Sequence, residues 1–452
     1  MTTTLQLQKM CSNMRESGNH PARLLLALWL LVVVAVVLNN SITAWAREQP
    51  SRSADSIAAA TEQEQTESNV GEGSQDDLFE PMTIDRFDPT PTLRVNATEL
   101  THAAVPVIDA HTHFGFRLRG DDERLDEFVQ VMNRNRIAIC VSLDARLGTE
   151  TDHMNFLHRK YKDRFIVFAN IDFQGDGVED QPSTWACNQP EFVHTVCEQL
   201  KVAKQNGIAG VKFFKQFGLG YRSASGELIR IDDRQFDPIW STCGELGMPI
   251  IIHTGDPAAF FLPIDETNER YEELSRHPDW SFHGDEFPSR EELLLARNRV
   301  IERHRETVFI GAHVAGNSED LATVGQWLDS YPNLVVEFAS RIGEMGRQPF
   351  TAREFLIRYQ DRVLFGTDGP WPELRLSYYW RFLETNDEYF PYSEKSPPPQ
   401  GLWHIYGVGL PQEVLEKIYY RNYLRMLPSV REQYDRAVIE MNAAQPGTSD
   451  RR

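Results

Sequence analysis

The sequence predicts an α/β fold, a (β/α)8 barrel, on three observations. Short apolar runs recur eight times with helix-patterned stretches between them, the rhythm of parallel strands joined by crossover helices. Four of these runs end in a residue of metal-ligand type: the run from Val107 to His111 and His113, and those ending in His253, His313 and Asp368. No glycine-rich phosphate loop follows the first run, as the alternative, a doubly wound nucleotide-binding sheet, would require.

The predicted strands begin near Val107 and continue at 137–143, 165–171, 209–214, 249–253, 308–313, 334–338 and 363–367. Helical periodicity fills the gaps at 123–135, 191–205, 290–304, 318–329 and 352–359, with Asn317 or Ser318 as the N-cap after the sixth strand. Two connections are long, 255–288 after the fifth strand and 371–410 after the eighth, and both are rich in aromatic residues and proline. Such loops on the carboxyl rim either wall a pocket or seal the barrel.

The barrel domain is expected to span residues 92–435. Residues 1–46 have a secretory layout, with basic residues before an apolar run at 24–38 and Ala44-Trp45-Ala46 as a small-x-small cleavage site. The apolar run is shorter than the roughly 20 residues of a spanning helix, so export to a periplasmic or extracellular location is expected, with an uncleaved membrane anchor as the alternative. Residues 47–91 are acidic and poor in aromatics, a disordered linker by composition, and 436–452 are expected to be a flexible tail. Part of the formal charge of −20 lies in that linker, and nothing in the charge pattern suggests nucleic-acid binding. Cys187 and Cys197 are a candidate disulfide in an oxidising location, while Cys140 lies within an apolar strand and reads as a buried thiol.

Alternate strand side chains share a face, so His111 and His113 can point into one site at the strand's end. With His253, His313 and Asp368 they supply nitrogen and oxygen donors in a number suited to a divalent ion with an open coordination position. Lys212 ends the fourth strand and Arg341 follows the seventh; both would reach the same mouth and favour a carboxylate-bearing substrate, although Arg341 could instead pair with Glu337 or Asp256. Trp371, Phe114 and Phe214 are candidates for an apolar wall or for plain packing.

Taken in order, VIDAHTHF (107–114), GVKFF (210–214), PIIIHTGDP (249–257), FIGAHVAGN (309–317) and RVLFGTDGPW (362–371) resemble the amidohydrolase superfamily. Within it they are most similar to the amidohydrolase-related branch that includes the aminocarboxymuconate semialdehyde decarboxylase-like enzymes. The resemblance covers about residues 105–427. It implies one metal ion, most often zinc, held by His111, His113, His253 and Asp368, with His313 as the catalytic acid/base and Asp368 sharing the proton handling. It also implies an unmodified Lys212, a mononuclear site and a possible homodimer. The expected function is hydrolysis of an amide, ester or lactone bond in a small anionic substrate by metal-activated water, with Lys212, Arg341 and Trp371 contacting substrate. The alternatives are non-oxidative decarboxylation at the same site and, less favoured, a non-catalytic exported metal- or ligand-binding barrel.

Overall fold

The computed structural model describes Met82, Thr83, Arg86 and residues 89–444, and divides the chain at Pro91/Thr92 into two units. The second unit is a barrel of eight parallel strands: β1 (Val107–Thr112), β2 (Ile137–Arg146), β3 (Phe165–Asn170), β4 (Gly210–Phe213), β5 (Ile250–Ile252), β6 (Phe309–Gly311), β7 (Leu334–Glu337) and β8 (Val363–Leu364). Each strand pairs with the next in chain order. The sheet closes through residues just beyond β8: Ala110 N donates to Phe365 O (2.9 Å), Asp368 N donates to His111 O (2.8 Å), and Thr112 bridges Gly369. Closure therefore sets Asp368 directly against His111.

Two apolar layers follow from the period-2 alternation of strands covered on both faces. Ile108, Ala110, Ile139, Val141, Ile166, Phe168, Ile251, Ile310 and Leu364 form one cluster, and Val107, Ile137, Cys140, Phe165, Val167, Val211 and Ile250 belong to the layer under the helices. The first cluster is continued by Tyr423, Leu424, Leu427, Tyr434, Ala437 and Met441. The last three lie on the helix Arg431–Ala444. Residues 436–444 are thus not a flexible tail: they belong to a helix whose apolar stripe is buried against the strands.

Helices occupy Asp122–Asn135, Phe192–Gln205, Arg290–Arg303, Leu321–Ser330 and Pro349–Arg358, close to the expected positions. The connecting helices Glu150–Tyr161, Asp237–Glu245 and Glu373–Glu384 were not anticipated. The N-cap after β6 is Asp320, not Asn317 or Ser318: its carboxylate accepts Thr323 N (3.0 Å) and Thr323 Oγ1 (2.6 Å). The Asn317 carbonyl is instead engaged by Arg290 Nη2 (2.9 Å). All four cysteines among the described residues, Cys140, Cys187, Cys197 and Cys243, are buried and free, so the candidate bridge between Cys187 and Cys197 is not formed.

The long connections are folded. The first contains the helix Tyr271–Arg276 and is pinned by buried Arg270, which reaches Glu273 (2.7 Å) and Glu344 (2.6 Å). The second returns through an antiparallel bridge of Phe390 with Ile405 and sends Gln400 Nε2 to Ser340 O (3.1 Å). No described helix is long and apolar enough to cross a membrane. The expected export segment at 24–38 and most of the expected linker lie outside the described residues.

Candidate metal centre

His111 is buried in β1, and His113, two residues on, caps the short helix Phe114–Leu118. Their Nε2 atoms lie 3.2 Å apart. Asp368 Oδ1 is 3.7 Å from His111 Nε2 and 3.4 Å from His113 Nε2. These three donor atoms converge within 4.8 Å of one another.

The protons around this cluster can be placed by chemistry. His111 Nδ1 is 2.8 Å from Glu337 Oε1, which also accepts His313 N (2.9 Å), while Glu337 Oε2 accepts Ala339 N (2.5 Å). With both carboxylate oxygens already taken by N–H donors, His111 Nδ1 carries its hydrogen and donates, which leaves Nε2 as a bare lone pair. His113 Nδ1 likewise donates to Asp144 Oδ1 (2.5 Å), whose other oxygen accepts Phe116 N (3.0 Å). Burial works to raise Asp144, but the hydrogen bond and charge of His113, together with the Phe116 N–H and His153, hold the carboxyl below its usual range. Burial, aided by Lys212, pushes His111 well below the usual imidazole range. Two imidazole lone pairs and a carboxylate oxygen therefore face one another without a proton of their own to share. That donor set fits a cation, and each histidine is oriented by a carboxylate behind it.

His313 occupies a strained turn. It and the next two residues, Val314 and Ala315, have φ of 57°, 58° and 53°. Left-handed backbone costs a non-glycine residue about 1–3 kcal/mol and persists only where the surroundings over-determine it. Here Glu337 accepts His313 N, and the buried Arg297, stacked on Trp327, donates to Ala315 O. His313 Nδ1 lies 2.8 Å from Ala339 O. A carbonyl only accepts, so Nδ1 carries the hydrogen and Nε2 is free to take a proton. Burial holds the ring neutral, well below the usual range.

His253 stands apart from the first cluster. Its Nε2 is buried without a hydrogen-bond partner, 3.5 Å from Asp256 Oδ1, and its ring centroid is 4.4 Å from that of His313. The second set of converging donor atoms comprises His111, His313 and Glu337, so His253 belongs to neither group. Asp256 is held by Lys215 Nζ (2.5 Å).

The expected substrate contacts divide. Lys212 is buried with Nζ 3.4 Å from His111 Nε2, and burial lowers it to about 8. Arg341 is buried and donates to Ser340 O (2.9 Å). Neither forms an ion pair with Glu337, Asp256 or any other described carboxylate. Trp371 does not line the cavity at His113 and Asp368: its Nε1 donates to Thr367 O (2.8 Å) and its ring carries Arg117 and Arg375. Phe114 is core, packed on Phe128 and Phe165. The cavity that opens at His113 and Asp368 measures about 690 Å³ and is faced by Arg117, Arg146, Phe214 and Tyr221. Lys212 and Arg341 are absent from its lining.

Sequence reasoning passed over three residues that the site uses. Glu337 appeared only as a partner for Arg341, while Asp144 and Arg117 did not appear at all. An acidic residue near the end of an apolar strand was the available signal for the first two.

A closed parallel barrel with imidazole and carboxylate donors at the carboxyl ends of its strands defines a barrel enzyme with its chemistry at that rim. The chain belongs to the amidohydrolase family, a family of metal-dependent enzymes, whose model matches residues 108–428. Among solved structures it is similar to 2,6-dihydroxybenzoate decarboxylase from Rhizobium, at 15% identity over 73% of this chain and 99% of that one, with a TM-score of 0.43. It is also similar to dihydroxybenzoic acid decarboxylase from Polaromonas sp. JS666, crystallised with manganese and 2-nitroresorcinol (16%, 74% and 99%, TM-score 0.41). A third is 4-oxalomesaconate hydratase from Rhodopseudomonas palustris (14%, 75% and 99%, TM-score 0.39). No curated protein matches the chain.

Proposed function

We propose that the protein is a metal-dependent hydrolase that cleaves an amide, ester or lactone bond in a small carboxylate-bearing substrate. The observation that carries this reading is the meeting of three unprotonated donors, His111 Nε2, His113 Nε2 and Asp368 Oδ1, beside a histidine whose own Nε2 is free. The ion would be held by His111, His113 and Asp368; His253, which stands apart from them beside Asp256, would have to turn toward them to join the set. Mixed imidazole and carboxylate donors suit zinc. The chemistry such an ion supplies is Lewis acidity, which makes water a usable nucleophile near neutral pH and polarises a substrate oxygen.

The chain's own residues supply the rest. His313 Nε2 takes the proton of the attacking water, since its Nδ1 is committed to Ala339 O. The protonated His313 then passes that proton from Nε2 to the leaving group, while Asp368, whose Oδ2 accepts from Ser340 Oγ at 3.0 Å, stays ionised. Lys212, Arg341 and Arg117 provide positive charge with no ion-paired carboxylate, the electrostatic complement of an anionic substrate.

The test is turnover of carboxylated lactones, esters and amides in ¹⁸O-water. One labelled oxygen in the product and no carbon dioxide is the expected result. Carbon dioxide release without label would replace hydrolysis by decarboxylation, the second chemistry this donor set can support.

A further inference from the structure

The anion in that reading needs a reader; Arg146, at the end of β2, lines the cavity but is paired with Asp172, and neither Lys212 nor Arg341 lines it. Arg117 does. It lies four residues beyond His113, at the last turn of the short helix Phe114–Leu118. Two contacts fix its guanidinium, and one of its N–H groups is left without a partner. Its carbon centre sits 4.0 Å above the centroid of the Trp371 ring. Nη2 donates to the backbone oxygen of Asp368 (3.0 Å). Nε is buried and has no hydrogen-bond partner.

The indole is itself immobilised, because its Nε1 donates to Thr367 O on the segment that carries Asp368. A guanidinium held over a fixed aromatic ring and tied to a strand-end carbonyl has already lost most of its rotamer freedom, so little further ordering is needed to bind an anion. No described carboxylate forms an ion pair with Arg117. The side chain lines the catalytic cavity of about 690 Å³ and also an adjoining one of about 700 Å³, where Arg119 and Arg124 are further cations.

We infer that Arg117 is the residue that recognises the substrate's carboxylate, binding it beside Asp368 at the junction of the two cavities. Trp371 positions that guanidinium without touching substrate, in place of the direct contact its sequence position suggests. Lys212 and Arg341, buried off the cavity, balance charge from behind. The inference rests on the proposed hydrolase only for the presence of an anion next to Asp368, and its test reads binding without turnover.

The probes are benzoate and its neutral isostere benzamide, chosen because Phe214 and Tyr221 face the cavity. Each is titrated calorimetrically into the metal-loaded protein. The wild type is expected to prefer benzoate. Arg117→Met should weaken benzoate by about tenfold or more, the scale of one charge-assisted hydrogen bond, and leave benzamide within about twofold. Arg117→Lys should recover part of the loss, because charge without the planar fork is an incomplete substitute. Trp371→Leu, which alters no charge, should also weaken benzoate selectively. Unchanged benzoate affinity in Arg117→Met, equal loss of both probes, or a wild type indifferent to probe charge would each overturn the assignment. Failure of ¹⁸O incorporation with these binding results intact would overturn the hydrolase reading alone.

Discussion

Replacing Glu337 by glutamine tests the carboxylate behind the metal centre with almost no change of shape. One oxygen of Glu337 accepts His111 Nδ1 and His313 N, and the other accepts Ala339 N at 2.5 Å. A glutamine can present its oxygen to only one side. With the oxygen toward the histidines, the NH2 group faces the Ala339 N–H; with the amide flipped, it faces His111 and His313. Either way a buried donor loses its acceptor and two donors confront each other, at a cost of about 1–3 kcal/mol. There is no slack nearby, since a Cβ on Gly366 would already lie 2.7 Å from Glu337 Oε2. Removing the negative charge also makes His111 a weaker donor, and changes of this kind behind a ligand lower metal affinity about 10- to 100-fold. Competition of the protein against a chelator for zinc measures that drop, and thermal unfolding of the metal-free variant measures the strain. Zinc affinity within about twofold of wild type would refute the role given to Glu337.

Other expectations follow from the same geometry. His313→Asn should lower turnover about 10²- to 10⁴-fold while metal content stays at the wild-type level, because His313 is assigned a proton and not the ion; loss of the metal would contradict this. Met441→Ala should destabilise the protein by about 2–5 kcal/mol in denaturant unfolding, since Met441 is fully buried against the barrel; a flexible tail would show no effect. Burial works to raise Asp387, but Thr98 N (2.6 Å), Thr98 Oγ1 (2.9 Å) and Arg381 (2.7 Å) hold its carboxyl below its usual range. Its stabilisation is therefore complete above the unfolded value of about 3.9 and disappears as pH falls through the lower folded value. Asp387→Asn should accordingly unfold at a lower temperature than wild type at pH 7, by a margin that shrinks in strong acid; a margin that grows with acid would reverse the sign.

The barrel was legible because its strands are buried on both faces and so read as apolar runs, and because His111, His113, His253, His313 and Asp368 stand at their ends. Pairing between distant residues was not legible. Glu337 meets His111 across 226 positions of chain, and only the closed sheet brings them together. The expected cap at Asn317 or Ser318 failed because a tertiary contact with Arg290 engages Asn317 and shifts the helix start to Asp320. Trp371 follows Asp368 by three residues, but it walls the adjoining cavity and not the one at Asp368, with its ring under Arg117. Residues 436–444 have a weak amphipathic pattern whose burial depends on strands far earlier in the chain.

The central claim is a single ion held by the donors of β1 and the segment after β8. Its most direct test is metal analysis of the purified full chain alongside His113→Ala, Asp368→Ala and Lys212→Ala. The account predicts one equivalent of a divalent metal, lost in the first two variants and retained in the third. A wild-type protein that takes up no metal, or two equivalents of which one depends on Lys212, would contradict it.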